Sequence, residues 1–493
     1  MLGISSRLSI SKKVFLDKVK CGCIPPLYAE VPYTSAASLY PNFSGAGSFL
    51  FESVKGPYKI ARYSFIGFDP YLIFKVKDGV IELSSQGRDR ILSADPLKVL
   101  GGILSGYRQM PADNLPPFQG GAAGLLSYDF VRYLERVPAT AVDDLKIPDA
   151  HFFLIDKLIA FDHLKKKTWI ILCPGARSTG SSDWSEEFDR AEHEIAEIQK
   201  SVHPREDLNA SASYKSKIEV FHEMTEKGYT EMVRRTKEYI AAGDIFQANI
   251  SLRVSAFIGG LKPWNLYTVL RKINPSPFAG FVDFGDYLIV SSSPERLLLV
   301  RDRIVETRPI AGTRPRGKNQ EEDNLMRAEL LLNDKERAEH IMLIDLERND
   351  IGRVCDYGTI EVDELMITED YSHVIHIVSN IKGRLNAGRT PLDSIKAVFP
   401  GGTITGVPKV RCMEIIDELE PVRRGPYTGS MGYISFSGNV DLNIIIRSFT
   451  IKNEMAYVQA GAGIVADSDP LREYHESLKK AEALIRTLTL VSA

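Results

Sequence analysis

Cysteine is scarce in this chain of 493 residues: five are present, at positions 21, 23, 173, 355 and 412. The number is odd and no CxxC pair occurs, which argues against a disulfide framework or a structural zinc site and for reduced thiols in a cytoplasmic setting. None lies in a Gly-x-Cys-x-Gly elbow, so no thiol-dependent glutaminase is expected within the chain. An excess of one charge is lacking too: 61 basic against 64 acidic residues leave a net charge of -3, with no basic helix or finger spacing, so nucleic-acid binding is not expected. Long apolar runs are missing. The first 13 residues have no continuous apolar core of the secretion-signal kind, and no later run is long enough to cross a bilayer, so neither export nor membrane insertion is expected. What is present is 44% apolar content, enough for a large core built as two lobes or one elaborate domain.

From about residue 25 to 172, short β-like runs are broken by Gly, Pro and Asp, which predicts a sheet-rich N-terminal lobe over 1–173. The glycine-dense stretch 118–130 does not open a helix after a strand and reads as close backbone packing, not as a dinucleotide fingerprint. Residues 174–213 form a linker, with Pro-Gly and Ser-rich ends around a charged amphipathic helix that runs to about Gln199. A second lobe, 214–493, alternates strands (250–257, 278–284, 287–291, 297–306, 430–436, 439–451, 455–460) with helices at 333–347, 390–398, 408–419 and 469–488. Hairpin-like connections among the strands point to large antiparallel sheets covered by helices, an α+β fold.

Two stretches carry the chemistry. In the first, a glycine-rich turn at Gly461, Ala462 and Gly463 leads to a helix capped by Asp469 with Pro470 in its first turn, and Glu473 and Glu476 fall one turn apart on its surface. In the second, Asn333 reads as a cap, Glu336 as its capping-box partner and Glu339 as the residue three further on. Glu-x-x-Glu is common on solvated helix faces. Two such pairs brought together, however, would repel unless a cation sat among them, and sparse hard oxygen ligands suit Mg2+. Two loops suit an anion: 308–317, with Arg308, Arg314 and Arg316, and 399–410, where glycines feed a helix N-terminus and Lys409 adds a full charge. Arg447, on a strand, and the 461–463 turn suit a carboxylate, which together describe a pocket for a small dianion with Mg2+ at one end.

With these motifs in place, and with matches extending from Phe51, Glu52 and Ser53 and residues 62–67 to the C-terminal helix, the chain resembles the chorismate-utilising enzymes. Within them it is similar to component I of aminodeoxychorismate synthase and of anthranilate synthase. The resemblance implies Glu339 and Glu476 as Mg2+ ligands, with Glu336 and Glu473 as close companions reaching the metal directly or through water. It implies Gly312, Thr313, Thr403, Tyr427, Arg447 and Gly461 to Gly463 as chorismate contacts with Lys409 beside them, Glu295 as the acid that protonates the departing C4 hydroxyl, and His376 near the reacting centre. Protonation by Glu295 requires a neutral carboxyl and hence a pKa raised by burial.

Gln247 stands where relatives that add water carry lysine, so ammonia is the implied nucleophile. Asn249, the Ile-Thr-Gly of 404–406 and the sequence of 429–435 look like the aminodeoxychorismate branch; Ala311 departs from it, because many members place a nucleophilic lysine there. Amination of chorismate to 4-amino-4-deoxychorismate is therefore favoured over anthranilate formation. The ammonia would come from a separate glutamine amidotransferase subunit, and any later loss of pyruvate to p-aminobenzoate would need another enzyme. Ser53, Pro277, Phe278 and Ala279 resemble the tryptophan pocket of feedback-inhibited members, but Ala279 replaces a methionine and Phe51 a leucine. A non-catalytic paralogue serving as a binding subunit predicts loss of the four carboxylates, and all four are retained.

Overall fold

Strands that are mostly apolar, such as Ala150–Ile155 and Lys157–Asp162, are buried at every position, the pattern of strands covered on both faces. The computed structural model, which describes residues 8–85, 87–178, 183–205, 218–370 and 374–492, explains why. Two antiparallel sheets of 12 strands each lie face to face. Between them runs an aromatic-rich layer: Phe49, Phe65, Leu158 and Trp169 come from one sheet, and Phe153, Met431 and Tyr433 from the other. Alternate residues such as Leu50, Ile159 and Phe161 point outward into a second core under the helices. The α+β architecture with large antiparallel sheets is thus as expected.

Both sheets draw strands from either side of the 174–213 segment. Ser48–Glu52 pairs with Phe278–Asp283 in one sheet, and Gly121–Leu126 pairs with Ser430–Ser435 in the other. Gly121–Leu126 also pairs with Ala150–Ile155, an interior strand where close backbone packing was expected. The helix of the linker, Trp184–Lys200, packs on the edge strand Leu27–Val31 and its neighbour Lys167–Leu172; positions 179–182 and 206–213 of that linker lie outside the described residues. The C-terminal helix Pro470–Val491 lies on strand Met455–Ile464 and against helices Glu226–Ala241 and Pro263–Ile273. Helix Asp334–Gly352 packs on strand Val374–Arg384. Among the described residues no helix is long and apolar enough to cross a membrane.

The two sheets are joined where strands pass from one to the other. Leu288–Ser293 belongs to the first sheet and Arg296–Arg301 to the second; Val440–Ile444 belongs to the second and Ser448–Lys452 to the first. The stretch 439–451, expected as one strand, is therefore broken at 445–447. A strand that changes sheets needs a bend, and Arg447 provides it with φ of +51°, a left-handed conformation. Arg447 is a corner residue, not a strand residue.

Candidate functional site

The crossings place the first functional side chains. Glu295 sits at one corner and Arg447 at the other, and the corners are stitched together: Ile444 N donates to Glu295 O (3.0 Å), Ser293 Oγ to Ile444 O (2.6 Å) and Ser292 N to Arg447 O (3.2 Å). The Glu295 carboxyl is buried, and burial pushes its pKa up to about 7; the Thr403 hydroxyl, the Arg447 charge, the Ile310 backbone and Lys480 only partly offset this. Thr403 Oγ1 faces the Glu295 carboxyl, but neither Glu295 Oε1 nor Thr403 Oγ1 meets full hydrogen-bond geometry with a protein partner. Buried polar atoms are nearly always paired, so an unpaired set at one place marks a ligand position.

His376, on strand Val374–Arg384, is buried with Nδ1 2.9 Å from Thr313 Oγ1 and 3.3 Å from Gly312 O. Burial, with help from Arg447, lowers its pKa to about 4, so the ring is neutral at pH 7. Gly312 and Thr313 were expected in a loop. They lie instead in strand Ile310–Pro315, which pairs with the His376 strand through a bulge at Gly312, where φ is +63°. A bulge re-aims neighbouring groups without ending the ladder.

The stretch 461–463 is not a turn either. It is the end of strand Met455–Ile464, paired in the order Gly461 with Ser251, Ala462 with Ile250 and Gly463 with Asn249. Its glycines serve close approach: a Cβ on Gly463 would lie 2.4 Å from Gln247 Nε2, and one on Gly461 2.4 Å from Ile250 O. On its other edge the strand Ser448–Lys452 pairs only as far as Val458, next to the Arg447 corner, so the edge at 461–463 has no strand partner there among the described residues. That edge is therefore open beside the Arg447 corner, apart from Gly461 O, which accepts from Lys480 Nζ.

This strand end and its neighbour Gln247–Phe257 tether the carboxylates. Gln247 Nε2 donates to Glu339 Oε1 (3.0 Å), while Lys480 Nζ binds Glu476 (2.9 Å) and Gly461 O (3.0 Å). The charge of Lys335 reaches Glu473, so the two carboxylate helices begin near one another. Burial, aided by the Glu476 charge, raises the Glu473 pKa. Asn333 and Asp469 cap their helices through Glu336 N (3.0 Å) and Arg472 N (2.9 Å). Glu336 does not complete the expected capping box, because its Oε1 takes Arg314 (2.7 Å); its buried Oε2 has no partner. Among the described residues no three acidic, His or Cys side chains converge on one point. Mg2+ takes one or two protein carboxylates and completes its shell with water and substrate oxygens, and an orphaned carboxylate oxygen beside Glu339 fits that habit.

The cations of the two expected anion loops are committed elsewhere. Arg308 binds Glu364 and Glu369, Arg314 binds Glu329 and Glu336, and Arg316 binds Asp323. Lys409 binds Asp350 (2.9 Å) and Val398 O (2.7 Å). What survives of the 399–410 loop is Thr403, on the short 3-10 turn Gly402–Ile404. Tyr427 lies behind it, half-buried, with its ring 5.6 Å from the Arg424 guanidinium. Ser53, Pro277, Phe278 and Ala279 do come together, lining a separate cavity of about 190 Å³ with Arg62, Tyr63 and Tyr433.

Two site residues were passed over. Lys480 was visible as the i+4 partner of Glu476. Asn249, read only as a branch marker, shares a strand face with Gln247 two residues away, and the side-chain oxygens of both are buried without partners.

The sequence model described as chorismate binding enzyme matches residues 49–486. The chain is 43% identical over 467 residues to anthranilate synthase component 1 of Acetivibrio thermocellus, covering 94% of each. It is also 43% identical over 445 residues to aminodeoxychorismate synthase component 1 of Bacillus subtilis, covering 90% of this chain and 91% of that one. The crystal structure of anthranilate synthase component I from Streptococcus pneumoniae superimposes with a TM-score of 0.76 at 36% identity, over 86% of this chain and 92% of the other.

Proposed function

Because the chain belongs to the family of chorismate-binding enzymes, we propose that it aminates chorismate with ammonia to 4-amino-4-deoxychorismate, with Mg2+ and a separate glutamine amidotransferase subunit as ammonia source. The observation that carries this is the pairing of a buried carboxyl able to stay protonated near pH 7, Glu295, with an uncharged amide face made by Gln247 and Asn249. Glu295 protonates the departing hydroxyl while Thr403 orients it. Arg447 and the open edge at 461–463 hold a substrate carboxylate, and neutral His376, fixed by Thr313, leaves that site without a competing charge. Ammonia is already a nucleophile, so amides that accept its N–H groups suffice where water would need a base. Glu339 and Glu476, with Glu336 and Glu473 behind them, would hold Mg2+. When bound, the ion neutralises the ring carboxylate and draws electron density from the ring.

One observation favours anthranilate formation instead. Ala311 is nearly buried on strand Ile310–Pro315 and offers no amine for a covalent route. Mass spectrometry of the product from purified protein, chorismate, Mg2+ and ammonium decides. An amino-dienoate that retains the enolpyruvyl group is expected; anthranilate with free pyruvate would overturn the branch, and no consumption at all would leave a non-catalytic binding subunit.

A smaller change probes the amide face. In Gly463→Ala the new Cβ meets the movable end of Gln247, not backbone, so the protein should fold. Gln247 is pushed off Glu339, and turnover should fall by about tenfold, or about 1.4 kcal/mol of barrier, with little change in melting temperature. Unchanged turnover would show that the Gln247 position is immaterial.

A further inference from the structure

Arg424 is not among the residues that the resemblance singles out, yet its side chain, 1% exposed, reaches the backs of three segments that form the site. Nη2 donates to Asn249 O (2.6 Å), and Nη1 donates to Ile404 O (3.0 Å) and to Thr428 Oγ1 (3.3 Å). Asn249 is on the amide face, Ile404 follows Thr403, and Thr428 follows Tyr427. The guanidinium also lies over two rings, 4.9 Å from Tyr128 and 5.6 Å from Tyr427. Its charge is balanced by Glu420, which accepts from Nε (2.9 Å) and Nη2 (2.7 Å) and in turn receives Ser251 N (2.9 Å) and Ser251 Oγ (2.7 Å), on the same strand as Asn249.

We propose that Arg424 is a positioning residue: beside the direct backbone bond from Asn249 N to Thr405 O (2.8 Å), its planar fork fixes the orientation of the amide face on strand Gln247–Phe257 relative to the Thr403 turn, and so places the incoming nitrogen opposite the departing hydroxyl. A guanidinium carries five N–H donors in one rigid plane, and three acceptors on separate segments with a carboxylate as the fourth use that geometry as a lysine cannot. The carboxylate edge at 461–463 lies one strand further from Arg424 than the amide face, reached only through the pairing of Asn249 with Gly463 and Ser251 with Gly461. The inference rests on the amination reading and predicts a split between the two substrates.

The test is steady-state kinetics of the full-length protein with Mg2+, varying ammonium and chorismate separately, for Arg424→Lys and for the double variant Glu420→Gln/Arg424→Gln. The double variant removes both buried charges together, so neither is stranded. Both variants are expected to raise the KM for ammonium by about fivefold or more and to leave the KM for chorismate within about twofold. Loss of folded protein lowers apparent kcat and moves neither KM, so a fall in kcat that follows a fall in melting temperature, with both KM values unchanged, would reduce Arg424 to a structural ion pair and overturn the inference. Wild-type kinetics in both variants would overturn it as well, with the amination reading intact. No turnover by the wild type would remove that reading and this inference together.

Discussion

Replacing Glu295 by Gln is expected to lower kcat by about a hundredfold to ten-thousandfold while making the protein more stable at pH 8. The two effects have one origin. The Glu295 carboxyl is held at a chain crossing between two sheets, out of water, and burial lifts its pKa from 4.5 to about 7. A carboxyl whose folded pKa is raised favours folding fully below its unfolded pKa and loses that contribution as pH rises through the folded value. Above pH 7 the wild type therefore carries a destabilising buried charge, worth up to roughly 3 kcal/mol for the 2.5-unit difference between 4.5 and about 7, which the amide lacks. Denaturant unfolding at pH 4 should show the two proteins alike, and at pH 8 the variant ahead. In the wild type, kcat/KM should fall as pH rises above about 7 once rates are corrected for the fraction of free ammonia. A Gln variant with wild-type turnover would exclude Glu295 as the proton donor.

The second large effect is expected at the carboxylates. Glu339→Gln and Glu476→Gln should each weaken the Mg2+ dependence of turnover by about a hundredfold or more, with melting temperatures close to wild type. Glu339 is held by the Gln247 amide and Glu476 by Lys480, so each side chain is oriented before any ion arrives. The Glu476 pair with Lys480 is half exposed, and its loss should matter little to folding. Magnesium titrations of chorismate consumption provide the measurement. A titration curve unchanged in both variants would mean that these helices do not share an ion, and the proposed mechanism would lose its electrophilic end.

Much of this site was legible before the chain was folded. Asn333, Asp469 and Pro470 announced two helix starts, and the helices begin there because capping and first-turn preferences are local. The carboxylates one turn apart followed from the helical repeat. The mistaken expectations concern partners on other elements, from seven to about sixty residues away in the chain. Arg308, Arg314, Arg316 and Lys409 read as ligands for an anion, but each found a carboxylate contributed by another element. Glycines 461 and 463 read as a turn, because glycine signals either a bend or a close neighbour and only the paired strand Gln247–Phe257 reveals which.

The order of residues alone established the helix faces that bear Glu336, Glu339, Glu473 and Glu476, the antiparallel character of the sheets and the family resemblance, because repeats, caps and hairpin turns act over a few residues. Only the folded chain decided that Glu295 and Arg447 stand at adjacent crossings between two sheets, that strand Met455–Ile464 continues through its glycines, and that Arg424 reaches three segments at once. Burial, pairing and the raised pKa of Glu295 arise from groups brought together across the sheets, and no local pattern encodes them.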